Sequence, residues 1–351
     1  MTLAAVLRHL VFAATLALLS AAVVRGMIAV RLLDRPDPRK VHTRATPKGG
    51  GVGVVVAFLV GIAVLYRFAE FARLADPYFV GVIEASVAIA VVAFLDDIYD
   101  WKFTVKLAAQ VFAAFVAVAS GIYVANYRVP YVGPFYVGWV GVPVTAVWLL
   151  FTTNAMNFID GLNGLAGGVA LIAAAFIAGI AAAYGGWFAY FASLLLVAGL
   201  VGFLPFNFPR ARIFMGDVGS QFCGFMLAIL GVVASRLGDA KLSFLIVPML
   251  LSGVLFDVAF TLGRRALAGE QLTAPHRGHL YQVAQRSGVP AVGVTLVYWG
   301  FAGFGGLCAL GFLAADADVQ PFLPLLAVVP QVFWLGYVVR RAQREGVGRW
   351  G

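Results

Sequence analysis

The chain predicts an all-α fold, a polytopic membrane bundle of about eleven transmembrane helices with a small outer hairpin near 126–138. Three observations carry this. Of the 351 residues, 62% are hydrophobic and only 12% charged, about half the charge of an ordinary soluble domain. The apolar residues fall in runs of about 17–25, the length that crosses a hydrocarbon core. The polar residues are confined to short connectors between those runs. A single integral-membrane domain over 1–351 follows.

The first run, 4–30, exceeds the apolar stretch of about 7–15 residues in a secretory signal and has no small-residue cleavage site, so it reads as a first span. Further runs lie at 50–66, 78–95, 104–124, 137–153, 165–184, 188–206, 219–235, 242–263, 291–314 and 322–339. Only Gly185-Gly186-Trp187 divides the sixth from the seventh. Segment 126–138 surrounds Gly-Pro with aromatic and β-branched residues and reads as an interfacial hairpin. Cys223 and Cys308 sit inside runs and read as buried thiols, with no disulfide framework.

The net charge of +9 does not indicate nucleic acid, because the basic residues sit in short loops and not on one face. With the N-terminus outside, eighteen of the twenty-five lysines and arginines fall in inner segments. The positive-inside rule therefore places the N-terminus out and the C-terminus in. That choice puts the polar connectors near 31–48, 96–102, 154–164, 205–217 and 264–290 on one cytoplasmic side, as a composite active site requires.

Carboxylates and amides are costly near a bilayer, so their clustering points to chemistry. Asp96, Asp97 and Asp100 close the third span. Adjacent like charges call for a cation or a shared proton, and Lys106 follows as a cationic partner or phosphate ligand. Asn154, Asn157, Asp160 and Asn163 run into glycines at the start of the sixth span. There, free amides can meet an anion, and the amide oxygen of Asn157 can complete a Mg2+ shell; a plain capped turn is the structural alternative. Pro205-Phe206-Asn207-Phe208-Pro209 breaks the chain before Phe214-Met215-Gly216-Asp217. Asp217 stands just ahead of a helix, so it is either an N-cap or a carboxylate holding a metal against a diphosphate. Phe214 either stacks on a base or anchors at the interface. His276, Arg277 and His279 lack companion ligands for zinc and suit phosphate or sugar recognition. Asp257, inside the ninth span, pairs with a cation or serves structure.

Together these motifs resemble the polyprenyl-phosphate N-acetylhexosamine-1-phosphate transferases. The stretches that carry the likeness, in order, are Arg39-Lys40-Val41-His42 with Thr46-Pro47-Lys48-Gly49-Gly50-Gly51, the aspartate run, the Asn154–Leu165 loop, Gly216-Asp217-Val218-Gly219-Ser220 and the histidine loop. The resemblance implies transfer of a sugar-1-phosphate from a UDP-N-acetylhexosamine to polyprenyl phosphate in the lipid bilayer, releasing UMP. The implied cofactor is Mg2+, with Mn2+ as a substitute. It implies Asp217 and Asn157 on the metal, Asp96 and Asp97 by the acceptor phosphate with Lys106, and Lys48, Asn163, Asn207 and Phe214 near the nucleotide. Asp160 is expected among the substrate-binding residues, and His276, Arg277 and His279 would meet the sugar and diphosphate. His-Arg-Gly-His, in place of consecutive histidines, resembles the O-antigen-initiating branch more than the phospho-MurNAc-pentapeptide transferases. A homodimer is left open. A membrane prenyltransferase and a transporter are the other readings; the first would not need the Gly216–Ser220 loop, and the second would place polar groups at mid-membrane.

Overall fold

The computed structural model describes residues 2–34, 45–68, 77–129, 133–236, 242–274 and 276–347. Arg39, Lys40 and His42 of the first polar loop lie outside them. Each expected run is helical: α1 (Leu3–Val30), α2 (Gly51–Phe68), α3 (Pro77–Tyr99), α4 (Phe103–Ala119), α5 (Gly141–Phe158), α6 (Leu165–Tyr184), α7 (Trp187–Asn207) and α8 (Gly216–Arg236). Next come α9 (Ile246–Leu250), α10 (Ser252–Leu267), a short α11 (Leu280–Arg286), α12 (Ala291–Ala314) and α13 (Phe322–Arg344). Among the described residues nine helices are long and apolar enough to cross a membrane. The other two expected spans are α4, which is shorter at 17 residues, and the run at 242–263, which bends at Leu251 into α9 and α10.

The ends differ from the sequence reading where local contacts override composition. Pro205 does not end α7; the helix runs through it to Asn207. Gly216, not residue 219, opens α8, so Asp217 lies in the first turn and is not the N-cap. The division after Tyr184 stands, with Gly185 in the left-handed region at φ 77° closing α6.

The bundle is built around α8. Its apolar stretch is 94% buried, against 17% for α1 and α13 at the periphery, and it packs on α2, α3, α5, α6 and α7. Small residues allow this. A Cβ on Gly51 would stand 2.2 Å from the Gly219 Cα, so α2 and α8 cross backbone to backbone, as small residues permit between membrane helices.

Two short antiparallel ribbons decorate the bundle. Strand β1 (Leu33–Asp34) pairs with β2 (Thr46–Pro47). Past β2 the chain zips to the connector before α8: the Phe214 N–H donates to the Pro47 carbonyl (2.8 Å), the Gly50 N–H to that of Phe214 (2.9 Å) and the Gly51 N–H to that of Met215 (2.8 Å). At the other end of α4, β3 (Asn126–Val129) pairs with β4 (Gly133–Tyr136), the hairpin expected near 126–138.

Candidate active site

The C-terminal ends of α3, α5 and α7 and the N-terminal ends of α4, α6 and α8 meet at one end of the bundle. They surround a cavity of about 340 Å3. Its wall holds Lys48, Asp96, Asp97, Lys106, Asp160, Asn163, Asn207, Phe214 and Asp217. With Asp100, also on the wall, ten residues singled out from sequence converge.

Lys106 is the centre of charge. Its Nζ lies 2.7 Å from Asp96 Oδ2 and 3.1 Å from Asp217 Oδ2, so one ammonium bridges α3 and α8. Asp96 Oδ1 also accepts the Trp101 N–H at 2.9 Å, which holds the turn from α3 to α4. Asp97 does a different job. Its oxygens accept the N–H groups of Asp217 (3.3 Å) and Val218 (3.2 Å) at the start of α8. This carboxylate therefore caps another helix, where unpaired amides and the helix dipole favour negative charge. Lys48 Nζ stands 3.5 Å from the same group. Glycine at 216 follows from this contact: its φ is +75°, and a Cβ there would lie 2.6 Å from Asp97 Oδ2.

Asp217 is held from three sides. Besides Lys106, Asn157 Nδ2 donates to Oδ1 (3.0 Å) and Gln221 Nε2 to Oδ2 (3.1 Å). Asn157 Nδ2 also reaches Ser220 Oγ at 3.0 Å, so the amide nitrogen, not the oxygen, faces Asp217. Asp160 opens on the cavity from the turn after α5. Its burial, then the Asp217 and Asp97 carboxylates, hold it well above the usual carboxylate range. Asn207 fastens two connectors: Oδ1 accepts the Gly164 N–H (2.6 Å) and Nδ2 donates to the Ile213 carbonyl (2.9 Å). The Gly164 amide, expected to be open to an anion, is thereby taken. Asn163 Nδ2 donates to the Pro209 carbonyl at 3.2 Å.

The histidine loop lies behind the wall. His276, Arg277 and His279 are not among the lining residues; the loop's contribution to the cavity is Gln282. His279 is buried, with Nδ1 3.2 Å from Asp257 Oδ1. Asp257 also accepts the N–H groups of Leu280 (2.9 Å) and Tyr281 (3.1 Å) and the hydroxyls of Tyr298 and Thr261. A carboxylate on α10 therefore caps α11 and resolves the choice left open for Asp257: it serves structure and pairs with His279. Tyr281 in turn donates its hydroxyl to the Phe158 carbonyl (3.0 Å), tying α11 to the end of α5. Burial, then His279 and the Arg265 and Arg264 guanidiniums, push His276 down to about 4, so at neutral pH it carries no charge toward a phosphate.

Sequence reasoning missed Asp34 and Gln282, which line the cavity, and Gln110 and Gln221, which are buried behind it. Asp34 looks like an ordinary loop acid beside basic neighbours. The glutamines did offer a signal: each stands four residues after a charged site residue, Lys106 or Asp217, and so on the same helix face.

A profile of glycosyl transferase family 4 matches residues 79–235. Over 269 residues, 76% of this chain and 73% of the relative, the sequence is 32% identical to the probable undecaprenyl-phosphate N-acetylglucosaminyl 1-phosphate transferase of Bacillus subtilis (strain 168). The chain belongs to the polyprenyl-phosphate hexosamine-1-phosphate transferases of glycosyl transferase family 4. It is also 30% identical, over 86% of its length and 84% of the relative's, to a decaprenyl-phosphate N-acetylglucosaminephosphotransferase of Mycobacterium tuberculosis. A phospho-N-acetylmuramoyl-pentapeptide-transferase of Acetivibrio thermocellus is 30% identical over 80% of this chain and 85% of its own. The family 4 match runs from α3 to the end of α8 and holds the whole Lys106 cluster, while Lys48 and Gln282 reach the cavity from outside it.

Proposed function

We propose that this membrane enzyme transfers N-acetylglucosamine-1-phosphate from its UDP-sugar to polyprenyl phosphate, releasing UMP, at the cytoplasmic face of the plasma membrane. The N-terminus is outside and the C-terminus inside. One observation carries the reading: the Lys106 ammonium, bridging Asp96 and Asp217, stands in a cavity at the end of an apolar bundle, within reach of a lipid headgroup. The relatives' names supply the sugar, and the loop from His276 to His279 favours a branch that begins a lipid-linked envelope glycan such as O-antigen.

The donor set fits Mg2+ or Mn2+, because carboxylate and amide oxygens suit hard cations. Among the described residues no three His, Cys, Asp or Glu side chains form a metal group by themselves. Asp217 would hold the ion, and Asn157 would offer its oxygen once its amide turns over from the Nδ2 contact seen here; the donor diphosphate and water would supply the other oxygens, as is usual for Mg2+ at phosphates. Bound there, the ion would offset the diphosphate charge. Phosphoryl transfer otherwise needs positioning. Lys106 turns from its carboxylates to the acceptor phosphate, and Asp96, released from it, takes any remaining acceptor proton. An acceptor oxygen bonds to the sugar-bearing phosphorus; the bond from that phosphorus to the bridging oxygen breaks, and its electron pair leaves with UMP. Lys48, Phe214, Asn163 and Asn207 flank the nucleotide. Gln282 and Asp160 bound the sugar side, backed by the loop of His276, Arg277 and His279.

The test is purified protein with Mg2+, polyprenyl phosphate and a panel of UDP-N-acetylhexosamines, scoring lipid product and UMP. Asp217→Ala should lower kcat by at least about 100-fold, the scale for losing a group that stabilises transition-state charge. A variant with wild-type turnover would remove Asp217 from the site. Product made only from UDP-MurNAc-pentapeptide would move the chain to the peptidoglycan branch. Radiolabel trapped on the protein would replace the direct attack with a covalent intermediate.

A further inference from the structure

Behind the cavity a second layer of polar side chains continues into the bundle. Lys106 and Gln110 stand four residues apart on α4, and Asp217 and Gln221 four apart on α8, so each pair shares a face. The two faces meet as a ladder. Its first rung is the Lys106–Asp217 ion pair at 3.1 Å. Its second, one turn deeper, is Gln110 Nε2 donating to Gln221 Oε1 at 3.0 Å. Gln221 Nε2 reaches back to Asp217 Oδ2 at 3.1 Å. On α5, Asn154 Nδ2 donates to Gln110 Oε1 at 2.6 Å and to the Leu150 carbonyl at 2.8 Å. Gln110 and Gln221 are each 3% exposed.

The polarity of this chain is fixed at both ends. A carboxylate and a carbonyl can only accept, so Gln221 must turn its nitrogen to Asp217 and Asn154 must turn its own to Leu150. The oxygens between them then accept in sequence. Gln110 and Gln221 line up head to tail, positive ends toward Asp217, in an interior where such bonds strengthen one another, while Asn154 clasps Gln110 from both sides, Gln110 Nε2 also lying 3.4 Å from Asn154 Oδ1. Helix adhesion alone would not need this arrangement. Interhelical polar pairs in membranes are individually weak, and nothing in adhesion requires the chain to end on a carboxylate.

We infer that Gln221, held by Gln110 and Asn154, is a positioning residue that keeps the Asp217 carboxylate aimed into the cavity while Lys106 turns to substrate. The inference rests on the transferase reading and adds to it. Lys106 is the ion-pair partner of Asp217 among the described residues. When the ammonium leaves, Gln221 remains as the donor to Oδ2, the oxygen that Lys106 gives up, beside Asn157 on Oδ1.

The experiment uses Gln221→Met, Gln110→Met and Asn154→Leu, each close in volume to the residue it replaces. Mn2+ binding to the purified protein with UMP is followed by electron paramagnetic resonance, beside kcat, KM for the UDP-sugar and the melting midpoint. Loss of a group that orients a metal ligand weakens binding by about 10–100-fold. Mn2+ binding and kcat should fall together in the order Gln221→Met, then Gln110→Met, then Asn154→Leu, with KM for the UDP-sugar unchanged. A variant that fails to fold drops out, and the order of the other two decides. Mn2+ binding equal to wild type in folded variants, with only the melting midpoint lowered, overturns the inference and leaves helix adhesion. A wild-type protein that makes no lipid product overturns the transferase reading instead.

Discussion

Asp257→Ala tests how the bundle presents α11 to the cavity. In the wild type this carboxylate, 1% exposed, accepts the Leu280 and Tyr281 N–H groups at 2.9 and 3.1 Å. It also accepts two hydroxyls and faces His279. Leu280 and Tyr281 are each 1% exposed, so water does not replace the lost acceptor. Each orphaned buried donor costs about 1–3 kcal/mol. The two amides alone therefore cost about 2–6 kcal/mol on that scale, and the hydroxyls add to it. Asp257→Asn keeps one acceptor oxygen and should fall between wild type and alanine. The assay is hydrogen exchange read by mass spectrometry on peptides covering 280–286, with the transferase assay alongside. Exchange in Asp257→Ala should speed up at these amides, and activity should fall because Gln282 and Tyr281 lose their anchor. Wild-type protection at 280–286 in the alanine variant would refute the capping argument.

Three further outcomes follow from the site. Gly216→Ala places a Cβ at φ +75°, 2.6 Å from Asp97 Oδ2; it should cost about 1–3 kcal/mol of strain and most of the activity, and an unchanged melting curve would contradict this. Lys106→Met leaves Asp96 and Asp217 without their shared cation; Lys106 and Asp217 are partly exposed, so the cost falls below the about 3–5 kcal/mol of a broken buried pair, and the variant should melt below wild type and recover in part with Mg2+, whereas indifference to divalent ions would count against it. Asp160 sits above the carboxylate range, so its ionised form opposes folding: that cost is absent below its unfolded value of about 3.9 and grows as pH rises through the folded value. Asp160→Asn should therefore melt above wild type at pH 8 without divalent ions, with the gap narrowing as the solution is acidified; a lower midpoint at pH 8 would reverse the sign.

Hydropathy made the spans legible because each must match the same hydrocarbon thickness. The ends were less so, because contacts between distant segments set them. Asp97 caps α8 from α3, which starts that helix at Gly216 ahead of the expected 219. The acids, amides and lysines of the cavity stood out because charge is scarce in this chain. Gln110 and Gln221 did not, since a neutral amide in an apolar run raises no alarm until its i−4 neighbour is considered. In the histidine loop, two imidazoles beside an arginine look like a phosphate clamp; the structure turns His279 inward to Asp257 and brings Gln282 to the wall, a placement that depends on a contact from α10 and not on the loop's own residues.

The zipper between Pro47, Gly50 and Gly51 and the backbone of Phe214 and Met215 bears on biogenesis. Six helices separate its two halves along the chain, so an emerging polypeptide leaves the backbone around Lys48 without its partners until Phe214 and Met215 have been made. The pocket is completed late, and a ribosome stalled before residue 214 would deliver an inserted protein that cannot turn over.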